Sequence, residues 1–146
     1  MASPAAKVES TPTIPQGWQR MEVAEKFVFY MPLDLKKTES IGDYFGPNAA
    51  FSNGHLDFNY QYATEDLCSD HGSISKEISY RVSALDFAGK SGKLQTWGDE
   101  RSGRFFVTLC FRDIGDGKTR LHFGAATKAQ HEIVVARQIF ASVQFR

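Results

Sequence analysis

The chain has 146 residues, of which 42 % are apolar and 23 % charged, enough for one core burying about 70 % of the unfolded surface and too apolar for a disordered chain. Seventeen basic residues balance seventeen acidic ones, so no net field gathers nucleic acid or an anionic membrane, and no nucleic-acid partner is expected. The longest aliphatic stretch, Ile133-Val134-Val135-Ala136, is far short of the roughly 20 residues that span a bilayer, so no transmembrane segment is expected.

Residues 1–15 are rich in Ala, Ser, Thr and Pro and lack an apolar signal-peptide core, which predicts a flexible tether ahead of a single α+β domain over 16–146. A segment of this kind commonly follows a cleaved signal. If Met1 stands in place of one, the expected compartment is periplasmic or extracellular, and otherwise cytoplasmic.

Twelve Phe and five Tyr suit the half-buried surface of a sheet. Trp18 onward and the dense run Phe27-Val28-Phe29-Tyr30-Met31, ended by Pro32, predict two strands joined by a hairpin around Val23 to Lys26. Leu33 to Asn53 carries Gly42, Gly46 and Pro47 with little periodicity, which predicts a long connection with one helical turn. Leu56 to Ala63 alternates cleanly: Leu56, Phe58, Tyr60 and Tyr62 share one face of a strand, and His55, Asp57, Asn59 and Gln61 the other.

Thr64 to Ser75 is polar and predicts a loop or short helix. Glu77 to Phe87 returns to strand character with Ile78, Tyr80, Val82 and Ala84 on one face, and Ala88 to Gly92 is expected to turn the chain into a strand over Lys93 to Trp97. Arg104 to Arg112 and Thr119 to Ala125 flank the turn signal Asp113-Ile114-Gly115-Asp116-Gly117-Lys118. Lys128 to Phe140 lacks Gly and Pro and spaces Ala129, Ile133, Ala136 and Phe140 as one helix face, and Ser142 to Phe145 reads as a closing strand. The sum is an antiparallel sheet of about six strands with a C-terminal helix packed on one face.

This order of parts, with Gly17-Trp18, Phe27 to Pro32, glycines at the turns of 89 and 117, and the closing segment Ala136 to Phe145, resembles the PsbP-like domains, whose fold also includes the Ran-binding Mog proteins. The resemblance covers roughly Gly17 to Arg146. It implies an α/β/α sandwich, and a role as a binding or accessory domain like the photosystem subunits, transport adaptors and secreted bacterial proteins of that family. The polar stretch of 64–75 departs from the family, which carries a helix after the third strand.

Among residues that can carry chemistry, His131-Glu132 begins like a zinc-protease helix, but Val135 stands where the second His must be. The turn at Asp113 and Asp116 lacks the third oxygen position and distal Glu of a calcium loop. Gly89-Lys90-Ser91 lacks the upstream glycine of a phosphate-binding loop. No elbow motif marks a nucleophilic Ser. No catalytic residue, metal or cofactor is therefore expected.

The polar strand face His55, Asp57, Asn59 and Gln61, joined by His122 from a neighbouring strand, is the candidate ligand site, because alternate residues converge on one face. Cys68 and Cys110 belong to no metal pattern; exported, they can bridge, and otherwise Cys110 is a small buried hydrophobe. The expected function is a non-catalytic binding or accessory domain, exported or membrane-tethered, for a protein or small-molecule partner. A small ligand-binding protein or enzyme built on His55 and Asp57 is the alternative.

Overall fold

A computed structural model describes residues 14–38, 48–64, 68, 81–87, 89–99 and 101–145. The expected tether of 1–15 and the polar segment of 64–75 lie almost wholly outside these described residues.

β1 (Trp18–Val23) and β2 (Phe27–Pro32) form the opening hairpin, in register from Trp18↔Pro32 to Val23↔Phe27. Its turn holds Ala24 and Glu25 both at positive φ, 53° and 58°, and is closed by Lys26 N–H donating to Val23 O at 2.8 Å. A side chain in left-handed backbone costs about 1–2 kcal/mol, and Asn-Gly is the pair that tolerates two such positions in succession. Replacing both residues, Ala24→Asn with Glu25→Gly, is expected to stabilise the protein by about 1 kcal/mol in urea unfolding. A lower midpoint would show that the two native side chains make contacts worth more than the strain.

β3 (Lys36–Lys37) and β4 (Asn48–Ser52) stand within 33–53, where a long connection with one helical turn is expected; residues 39–47 of it lie outside the described residues. The strand signal there is weak because Ala49 and Ala50 are small; yet Ala49 and Phe51 are buried opposite Tyr60 and Phe58. β5 (Leu56–Ala63) follows with the bounds its alternation predicts. β6 (Arg81–Phe87) and β7 (Lys90–Asp99) meet at Phe87↔Lys90, so the turn is shorter than expected and Gly92 lies inside β7. A Cβ on Gly92 would sit 2.8 Å from Leu109 Cδ1 and 3.1 Å from Phe111 Cε1, so the bare backbone is what lets those side chains close over it.

β8 (Arg104–Phe111) and β9 (Arg120–Thr127) make the second hairpin. α1 (Glu132–Ala141) and β10 (Gln144–Phe145) complete the described elements. The described residues hold ten strands in two sheets, against one sheet of about six expected; β3 and β4 are the strands that no periodicity marks. All pairings are antiparallel: one sheet has the order β1-β2-β10, the other β3-β4-β5-β9-β8-β7-β6.

The two-residue period divides the large sheet into an inner face, with Phe58, Val107, Leu109, Leu121 and Phe123 buried, and an outer face carrying Asp57, Asn59 and His122. The small sheet and α1 both lie on the inner face. Phe29 packs at 5.5 Å from Phe58 and 5.4 Å from Phe123, ring centre to ring centre, and Phe140 stacks on Phe123 at 5.5 Å. The helix buries Ala136, Ile139 and Phe140, with Ile133 half-buried at the margin; Ala129 precedes the helix in the turn that leads to it.

The single core therefore sits between one large sheet and a mixed layer of small sheet plus helix. Among the described residues that layer is narrower than the sheet. The helix packs on β8 and β9, with further contacts to β2 and β5, and the inner side of β6 and β7 extends past it. On β6, Leu85 and Phe87 turn to the inner face while Val82 is 49 % exposed on the outer one. The apolar face expected from Val82 and Ala84 is thus the reverse of the one that packs.

Candidate functional site

The polar face of β5 is where its period places it, but Asp57 on it is tied into an ion pair. Asp57 Oδ2 accepts from Arg104 Nη2 at 2.7 Å, and that guanidinium also lies 5.6 Å above the Phe106 ring. His55 precedes β5 in an exposed tight turn, its backbone N–H donating to Asn53 Oδ1 at 2.8 Å and its carbonyl accepting from Thr127 Oγ1 at 2.7 Å. It stands apart from His122, which is directly opposite Gln61. Asn59 lies opposite Gly124, and a Cβ there would meet the Asn59 amide at 3.2 Å and His122 Cε1 at 3.3 Å. The structure thus brings Asn59, Gln61 and His122 together around a glycine floor and leaves His55 and Asp57 outside that group.

On the same outer face Cys110, paired with His122 across the ladder, is joined to Cys68 in a disulfide with Cα atoms 5.4 Å apart. Lys93 Nζ donates to Cys68 O at 3.1 Å.

The turn after β8 uses its two carboxylates internally. Asp113 Oδ1 accepts the N–H groups of Gly115 and Gly117, each at 2.8 Å. Asp116 accepts from the Thr119 hydroxyl, from Thr119 N–H at 2.7 Å and from Lys118 N–H at 3.0 Å. The Thr119 hydroxyl bond first, then these two backbone donors, hold the Asp116 carboxyl well below the usual carboxylate range. Because the folded value lies below the unfolded one, near 4, this contribution to stability is complete above about pH 4 and is lost as the pH falls. The gap between thermal melts of wild type and Asp116→Asn is expected to be full at pH 7 and to narrow progressively as the pH falls below about 4. A gap independent of pH would show that the carboxylate charge is irrelevant to the turn.

His131 stands at the start of α1 and pairs with Glu132 at 3.5 Å, its side chain 81 % exposed. Among the described residues, no three His, Cys, Asp or Glu side chains converge as a metal site would require.

The concave surface that sequence reasoning missed is where the inner face of the large sheet outruns its cover. A cleft of about 810 Å³ lies between α1 and the ends of β6, β7 and β8. Thr96 and Phe105 form its floor, Ile133, Val134 and Arg137 of the helix one wall, and Arg81 of β6 the other. A second hollow of about 390 Å³ continues it along the helix past Phe87 and Leu94, sharing Val134 and Arg137. Val134 leaves 61 % of its surface in water where it lines both hollows.

The charges around the cleft are uneven. Asp99, at its mouth, accepts from Arg101 N–H at 3.0 Å and from the Ser102 hydroxyl at 3.1 Å, and Arg104 is tied to Asp57. Arg81 and Arg137 have no ion pair among the described residues. The only sequence signal for this site was Val134 standing off the apolar stripe of α1 beside Arg137. The chain matches no protein-family model and no curated protein, so its role has to be drawn from this geometry.

Proposed function

We propose that this chain is a non-catalytic binding domain that holds its partner in the cleft between α1 and strands β6 to β8. The observation that carries this is the cleft itself: about 810 Å³, with apolar floor and helix wall and arginines on both sides, within the size range of ligand sites. Support for an accessory domain of PsbP-like layout comes from the opening hairpin, the antiparallel sheet and the C-terminal helix followed by a short strand. The described residues contribute one helix, on the inner face, toward the sandwich of that family. The Cys68–Cys110 disulfide favours an oxidising compartment, in keeping with export.

The alternative site, around His55 and Asp57, has less behind it, since Asp57 is committed to Arg104 and His55 lies apart from His122. Nile red, an uncharged apolar dye, separates the two surfaces. The native protein is expected to bind the dye with a blue-shifted emission. Val134→Asn should weaken binding about tenfold without lowering the melting temperature, whereas Asn59→Ala should leave binding unchanged. Loss of dye binding on Asn59→Ala, or full binding by Val134→Asn, would move the site away from the cleft.

A further inference from the structure

Resting on the cleft as the binding surface, we propose that its occupant is a single-chain amphipathic anion, with its head between Arg81 and Arg137 and its apolar tail laid along α1 toward Phe87 and Leu94. Three observations converge on this chemistry. The first is shape: the two hollows share Val134 and Arg137, so together they form one groove running along the helix. From Ile133 to Ala141 this is about 12 Å at 1.5 Å of rise per residue, which suits an extended chain better than a compact polycyclic body.

The second is the division of surface along that groove. Phe105, Ile133 and Val134 line the broader hollow, and Phe87, Leu94 and Phe140 the narrower. Arg137 and Gln138 are the polar side chains that also line the narrower hollow; with no carboxylate among the described residues of that lining, an alkyl tail laid past Phe87 and Leu94 displaces water from apolar surface while the Arg137 guanidinium stays with the head.

The third is charge. Arg81 faces the cleft from the sheet and Arg137 from the helix, and neither has an acidic partner among the described residues. Arg104, the third arginine of the cleft, is paired with Asp57 at 2.7 Å, so Arg81 and Arg137 are the two whose charge is open to a ligand there. Two guanidiniums facing one groove from its opposite walls, on a chain of zero net charge, make a local positive site. Guanidinium forks match planar oxyanion heads such as carboxylate. Asp99, the acid at the mouth, accepts from Arg101 N–H and the Ser102 hydroxyl of its own hairpin tip, so it repels an anionic head less than an unbonded carboxylate would.

Calorimetric titration with decanoate, decanol and decylammonium, each below its micelle concentration, tests the assignment on the full chain. Decanoate is expected to bind at least tenfold tighter than decanol, and decylammonium more weakly still. The double variant Arg81→Gln/Arg137→Gln, at two exposed positions, should bring decanoate down to the affinity of decanol while leaving the melting temperature unchanged and the affinity for decanol itself within about twofold of the native protein's. Equal affinity for decanoate and decanol on the native protein would overturn the anionic head yet leave the cleft as an apolar binding surface. Nile red binding with no binding of any decyl compound would overturn the single-chain ligand alone. Absence of both would remove the cleft as a binding surface, and this inference with it.

Discussion

Phe58→Ala is expected to lower the unfolding free energy by about 3–5 kcal/mol, the largest effect of any single substitution considered for this protein. Phe58 is fully buried and its ring is the hub of the core, packing against Phe29, Phe51, Phe123 and Phe140 from β2, β4, β9 and α1. Removing it leaves a cavity that no one element can collapse into, since each neighbour is held by its own ladder or helix. Its chain neighbour gives the control: Asn59 points to the outer face, and Asn59→Ala should fall within about 0.5 kcal/mol. Urea unfolding followed by circular dichroism measures both. A neutral Phe58→Ala would mean that β5 is displaced by one residue, because a one-residue slip exchanges the two faces.

The second large effect belongs to the disulfide. Cys68 and Cys110 are 42 positions apart, and closing a loop of that length removes chain entropy from the unfolded state equivalent to about 4 kcal/mol. Cys68→Ala/Cys110→Ala should lose roughly that amount, and a reductant should lower the urea midpoint of the native protein while leaving the variant unmoved. Bridged, neither sulfur is a thiol, so both cysteines should resist alkylation in the oxidised protein, folded or unfolded, and react only after reduction. Two free thiols titrated in unreduced, urea-unfolded protein would refute the bridge.

Where side chains alternate strongly, sequence and structure coincide. β5 has the predicted bounds because Leu56, Phe58, Tyr60 and Tyr62 are large and Asp57, Asn59 and Gln61 polar. The hairpin of β8 and β9 coincides as well, since Asp113, Gly115, Asp116 and Gly117 are turn formers flanked by apolar runs. The helix was legible from Ile133, Ala136 and Phe140; Ile139, also buried, sits on the same stripe one position from Phe140.

Legibility fails where the deciding information is tertiary. Ala49 carries no strand signal until Tyr60 is known to lie opposite it. Val82 and Leu85 are equally apolar, and only the position of α1 on the inner face determines which of them faces the core. The polar face of β5 was visible, but the 47 positions between Asp57 and Arg104 hid the ion pair that occupies it. The cleft was invisible for a related reason: it arises from the width of the covering layer, and no local pattern encodes that width.

The small sheet also sets an order of events in folding. β2 pairs on one side with β1, its immediate neighbour in sequence, and on the other with β10. Ser142, between α1 and β10, reinforces the second pairing: its Oγ accepts Tyr30 N–H at 2.8 Å across 112 positions. Loops this long are slow to close and give nothing back until their ends meet. During synthesis the β1–β2 hairpin therefore emerges early with Phe27, Phe29 and Met31 uncovered, and waits for β9, α1 and β10 to be made before that surface is sealed. A nascent chain arrested before α1 is expected to engage chaperones and to be cut readily by protease, and one released beyond Phe145 to resist both.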